Sequence, residues 1–161
     1  MKILVLLLVS SLAIASEPEV CFTPGGSCQD VVVAQLDAAK TSAFIMAYSF
    51  TSRPIALAIV AAAKRGVHVE VVLDRSNVHA RYSGLPMMVA EHVDTVIDSS
   101  HAISHNKVMI IDEATVLTGS FNFTTAAQRH NAENLVVLHD PELAGLYLAN
   151  FRKHSEHSRA P

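Results

Sequence analysis

The chain has 161 residues, half of them apolar, with 12 basic and 15 acidic side chains for a formal net charge of −3. A chain of this length with no internal repeat makes one domain with room for a real core, and its apolar content excludes an intrinsically disordered protein. The net charge runs against the basic footprint usual where nucleic-acid phosphates are held, although nine histidines can add positive charge in mildly acidic surroundings.

At the start, Lys2 precedes the apolar run from Ile3 to Val9, and Ala13-Ile14-Ala15 offers a small-x-small cleavage site. This is the pattern of a secretory signal peptide over residues 1–15, and the apolar run is shorter than the roughly 20 residues a membrane span needs. The expected mature chain, residues 16–161, is a single domain that is periplasmic or secreted, with no stable membrane association after signal cleavage. Cys21 and Cys28 bracket a Pro24-Gly25-Gly26 turn. In an exported chain an even pair of this kind predicts a disulfide, which would stabilise by about 2–3 kcal/mol in the chain-entropy model.

Gln29 to Lys40 carries Val32, Val33, Leu36 and Ala39 at helical spacing. Ala43 to Phe50 reads as a buried strand. Arg53-Pro54 opens a helix that runs to Lys64 and stops at Gly66. Val67 to Leu73 is a strand closed by Asp74, and strand–helix–strand in this order implies a right-handed crossover between parallel neighbours. Arg75 to Gly84 is loop-like, Leu85 to Val93 a short helix and Thr95 to Ile97 a short strand. Thr124 to Arg129 forms a helix, Glu133 to Leu138 a strand, and Pro141 to His154 a final helix, followed by a tail, Ser155 to Pro161, expected to fray. The sum is an α/β fold: a mixed central β-sheet flanked by helices on both faces.

Between these elements lies His105 to Asn122, HNKVMIIDEATVLTGSFN. Two apolar runs separated by Asp112, Glu113 and Ala114 read as paired strands joined by a turn. Strand alternation points His105 and Lys107 the same way. Gly119-Ser120 ends the second strand in a turn small enough for a ligand to approach closely. An imidazole, an ammonium, a hydroxyl and a carboxamide gathered at one end of a hairpin suit a phosphate, and no acidic cluster accompanies them to hold a metal.

The spacing His105-x-Lys107, four residues, Asp112, six residues, Gly119-Ser120-x-Asn122 resembles the HKD motif of the phospholipase D superfamily. Ala47-Tyr48-Ser49-Phe50-Thr51-Ser52, the Arg65-Gly66-Val67 turn, Asp74 and Glu133-Asn134-Leu135 extend the likeness to the small bacterial nucleases of that family, from about Cys21 to the C-terminus. The resemblance implies that His105 attacks phosphorus and forms a phosphohistidine, splitting one difficult displacement into two steps. It implies that Lys107 and Asn122 bind the non-bridging oxygens and that Glu133 bonds the other ring nitrogen of His105. Ser120 and Gly119 would contact substrate. Asp112, distant along the strand, is expected to hold the hairpin.

The family's reaction uses two histidines, one as nucleophile and one as general acid. His-x-Lys occurs once here, so the resemblance implies a homodimer with its active site on the two-fold axis. The expected reaction is metal-independent, cofactor-free cleavage of DNA, and by extension RNA. A phospholipase D acting on lipid head groups is the alternative; it would need an apolar entrance, and Phe121 and Phe123 are the candidates, although they alternate with Asn122 and are expected to face the core. A binding module without turnover is the third reading. A zinc site on His101 and His105, four apart, finds no further ligand at recognisable spacing among His79, His92, His130 and His139. Arg129 and His130 either contact phosphate or remain solvated, and Arg53, Arg75 and Arg81 are candidates for a groove around the site.

Overall fold

The computed structural model describes residues 17–161; the expected signal peptide and its cleavage point lie outside them. Seven strands form one mixed sheet: β1 (Glu19–Thr23), β2 (Ser42–Ala47), β3 (His68–Asp74), β4 (Asp94–Asp98), β5 (Lys107–Ile111), β6 (Thr115–Gly119) and β7 (Glu133–His139). Their spatial order is β1-β7-β6-β5-β2-β3-β4. β2, β3 and β4 run parallel, and β5, β6, β7 and β1 continue from β2 as an antiparallel series.

The central strands β2 and β5 are largely apolar and buried along their length, so alternate residues serve opposite layers. Along β2, Ala43, Ile45 and Ala47 pack with α1 (Cys28–Ala38) and α2 (Arg53–Lys64), while Phe44 and Met46 pack against Ala144, Leu148 and Phe151 of α5 (Pro141–His157). The short helices α3 (Leu85–Ala90) and α4 (Thr125–Arg129) add Leu85, Met88 and Ala127 to the first layer. The expected α/β sandwich with helices on both faces is the fold observed. Ser52 caps α2, accepting from the Ile55 amide while donating to Gln29 of α1 at 2.8 Å.

Two expectations change. Residues 19–23 form an edge strand paired with β7, where the sequence shows only a cysteine loop; three of its five residues are exposed, so no alternation marked it. Cys21 on β1 and Cys28 at the start of α1 are bonded, as expected. The C-terminal tail does not fray: α5 extends to His157, and Arg159 makes two backbone hydrogen bonds with Ile97 of β4. A free sheet edge offered unpaired amides to a segment with little apolar character of its own.

Candidate active site

The β5–β6 hairpin turns through Asp112 and Glu113, both at φ near +50°, with the Ala114 amide bonded to the Ile111 carbonyl. Two central residues at positive φ match the twist of paired strands, and Asp tolerates that conformation better than most side chains. The Asp112 carboxylate accepts hydrogen bonds from the amides of Lys40, Thr41 and Ser42 and from the Thr41 hydroxyl, at 2.7 to 3.1 Å. Burial works to raise its pKa; these four donors outweigh that and hold it below the ordinary carboxylate value. As the sequence suggests, Asp112 holds the hairpin, and it does so by sewing the turn to the start of β2.

At the other end of the hairpin, His105, Lys107, Gly119, Ser120, Asn122 and Glu133 line one open cavity of about 450 Å³. His105 lies two residues before β5 and is exposed. Its approach is pinned by Asp74, whose carboxylate accepts from the Ser104 amide at 2.8 Å, and by Arg75, which donates to the Ala102 carbonyl. Arg75 therefore braces this loop. Lys107, the first residue of β5, is 7% exposed. Its Nζ donates to the His105 carbonyl at 3.0 Å and lies 5.1 Å from the centre of the Tyr48 ring. Burial lowers the Lys107 pKa, and the nearby Glu133 carboxylate opposes that shift.

Tyr48 is a residue the sequence reading did not assign. Its ring centre is 4.6 Å from that of His105, so it walls the imidazole and the ammonium together. Register puts it there: Ala47 faces Lys107 across β2 and β5, and the Tyr48 amide bonds Asn106. Buried Asn77 fixes the loop after β2 through the Tyr48 carbonyl and the Phe50 amide. The family likeness included Tyr48, but its place beside His105 followed only from the β2–β5 pairing.

Gly119 has φ +150°, and a Cβ there would collide with the Asn134 carbonyl. That close approach lets Ser120 and Phe121 both donate their amides to the same carbonyl. The Ser120 hydroxyl donates to Glu133 Oε2 at 2.6 Å, and Asn131 donates to Oε1. Glu133 thus stands in the cavity as expected, but in the single chain its hydrogen bonds go to Ser120 and Asn131, not to His105. Asn122 Oδ1 is buried without a hydrogen-bond partner, a cost of about 1–3 kcal/mol that natural proteins accept mainly at working sites.

Phe121 and Phe123 are each 1% exposed and belong to the core. Arg129 and His130 are exposed at the end of α4 and do not line the cavity. Arg53 lines a separate, smaller cleft with Tyr82 and Met87, and Arg81 stacks on Tyr82. Arg53 and Arg81 therefore lie outside the lining of the His105 cavity. His101 packs against His154 and His157.

An imidazole beside an ammonium, a carboxamide and a carboxylate, at one end of a mixed α/β sheet, suits chemistry on phosphodiesters. The profile of the family described as cardiolipin synthase, PLD-like domain, matches residues 32–155, and the chain belongs to this phospholipase D-like family of hydrolases. A phospholipase D of Rickettsia conorii is 43% identical over 136 residues, covering 84% of this chain and 68% of the relative. Human mitochondrial cardiolipin hydrolase is 29% identical over 143 residues, covering 87% of this chain and 57% of the relative. Nuc from Salmonella typhimurium, a phospholipase D family member, superposes with a TM-score of 0.84 at 40% identity, covering 89% of this chain and 96% of that one. NucT from Helicobacter pylori shares the fold, with a TM-score of 0.81 at 24% identity over 90% of this chain and 99% of that one.

Proposed function

We propose that this hydrolase is an exported endonuclease that cleaves DNA, and RNA by the same chemistry, without a metal in the reaction. The observation that carries the reading is the lining of the His105 cavity. Every side chain in it is polar, and Phe121 and Phe123, the candidates for an apolar lipid entrance, are in the core. A head group buried under acyl chains needs an apolar approach; a phosphodiester in a nucleic-acid backbone needs only the cations and donors present.

In this reading a ring nitrogen of His105 attacks phosphorus and the bond to the leaving oxygen breaks. The leaving oxygen takes a proton from a second histidine. Water then attacks phosphorus, gives a proton to that second histidine, and the phosphorus–nitrogen bond breaks, restoring His105. Lys107 and the Asn122 amide stabilise the charge on the non-bridging oxygens. Glu133, which lines the same cavity, supplies negative charge that favours an imidazolium there. The cavity contains one histidine, so the second is His105 of another copy in a two-fold dimer.

Phospholipid hydrolysis is the second reading, favoured by the names of the Rickettsia relatives. The test sets supercoiled plasmid nicking beside choline release from phosphatidylcholine vesicles, in excess EDTA. Wild type and His105→Ala are compared at a temperature where circular dichroism shows both folded. Nicking by the wild type alone supports the nuclease; choline release without nicking replaces it with the lipase. Loss of nicking in folded protein, restored by magnesium, rejects the metal-free mechanism. Light scattering must give a dimer; an active monomer rejects the shared site.

A further inference from the structure

A second group of functional side chains lies away from the phosphodiester cavity. Asp98 ends β4 and is fully buried. His101 follows in the loop to β5, and His154 and His157 lie on the last turn of α5. His154 Nδ1 is 2.8 Å and His101 Nδ1 3.0 Å from Asp98 Oδ2, and His157 Nε2 is 3.4 Å from Oδ1. The ligand atoms of all four residues lie within 4.8 Å of one another.

Charge sets the problem. A buried carboxylate needs a compensating cation, and among the described residues no Lys or Arg pairs with Asp98; its only ionic partners are the three imidazoles. The three ring centres are only 5.0 to 5.3 Å apart, where gathering positive charge on all three would be repulsive. One divalent cation held by the three imidazoles and the carboxylate would place a single compensating charge at the centre of the group.

Geometry agrees. Tetrahedral zinc with ligands at about 2.0–2.1 Å separates its donor atoms by about 3.4 Å. The three Asp98–His distances, 2.8 to 3.4 Å, are already at that scale, and the widest pair must close by little more than an ångström. The spacing is paired as well: Asp98-x-x-His101 from a strand end and His154-x-x-His157 from a helix turn. The neutral imidazoles can ligate through the same nitrogens by carrying their proton on the other ring nitrogen. His101 and His157 are partly exposed, which leaves an ion a way in.

We propose that Asp98, His101, His154 and His157 bind one zinc ion at a structural site separate from the phosphodiester cavity. The ion would tie the end of α5 to edge strand β4 and to the loop that runs on to His105, reinforcing the Ile97–Arg159 pairing and the Ser158–His154 hydrogen bond.

The test uses tag-free mature protein, stripped with EDTA and dialysed. Zinc is titrated by calorimetry, bound metal is counted by mass spectrometry, and melting is followed with and without zinc. The wild type should bind one equivalent at sub-micromolar dissociation constant and gain several degrees in Tm. A His101→Gln, His157→Gln double variant changes only partly exposed side chains and should fold. It should bind at least about 100-fold more weakly and show no zinc-dependent gain in Tm. His105→Ala, inactive by the functional reading, should bind zinc as the wild type does. No binding by the wild type below about 10 μM, or equal binding by the double variant, overturns the proposal. Loss of binding in His105→Ala would move the ion to the phosphodiester cavity and overturn it too. None of these readouts depends on activity, so this proposal and the nuclease reading can fail separately.

Discussion

The Ser120 hydroxyl donates to Glu133 Oε2 at 2.6 Å, and the same oxygen of Ser120 accepts from the Asn134 amide at 3.0 Å. The backbone of β7 thus orients a hydroxyl that in turn orients the Glu133 carboxylate in the cavity. Ser120→Ala should leave the fold intact and lower kcat by roughly 10-fold, the scale of one charge-assisted hydrogen bond. Glu133→Gln keeps the shape but removes the charge that the proposed mechanism sets beside an imidazolium, and should cost about 100-fold or more in kcat. Steady-state kinetics on a soluble bis-p-nitrophenyl phosphate substrate would check both. An unchanged kcat in Glu133→Gln would remove it from the mechanism.

Lys107 is buried against Tyr48 and bonded to the His105 carbonyl. Lys107→Met should lower kcat by about 10²–10³-fold, the usual loss for one donor to developing charge. Lys107→Arg should not restore it, because the planar guanidinium does not fit where the compact ammonium sits. Full activity in the arginine variant would show that charge alone is required.

Asp112 makes a stability prediction. Its folded pKa is depressed, so it binds fewer protons folded than unfolded. Its contribution is present above the unfolded carboxylate value, about 3.9, and is lost as pH falls through the lower folded value. Asp112→Asn should lose about 2 kcal/mol near neutral pH and show a shallower fall in stability from pH 4 downward. Urea unfolding at several pH values reads this directly, and parallel pH profiles for the two proteins would contradict it.

Gly119 is held against the Asn134 carbonyl at a φ that L side chains rarely adopt. Gly119→Ala must push β6 from β7 at the cavity mouth. It should cost about 2–4 kcal/mol and disturb Ser120 and Glu133 together. Thermal melting checks the first effect and activity of the surviving folded protein the second.

How far the sequence reached can be traced residue by residue. His105, Lys107, Gly119, Ser120 and Asn122 belong to one hairpin and its end, so strand alternation and short range were enough to gather them. Glu133 entered through a resemblance, and the structure sets it in the same cavity with Ser120 and Asn131 as its partners, because which donor reaches a carboxylate depends on the β6–β7 register.

What the sequence determined by itself was local and periodic. The helices show in their apolar spacing, the buried strands in continuous apolar runs, and the hairpin turn in Asp112-Glu113. Contacts between segments far apart in the chain were decided by tertiary structure. Tyr48 reaches His105 because β2 pairs with β5, and residues 19–23 become a strand because β7 leaves an edge open. Asp98 meets His154 and His157 because α5 packs back across the sheet to its far edge. No periodicity encodes such meetings: each depends on the order and register of strands, which the burial of both sheet faces fixes only when the whole chain folds.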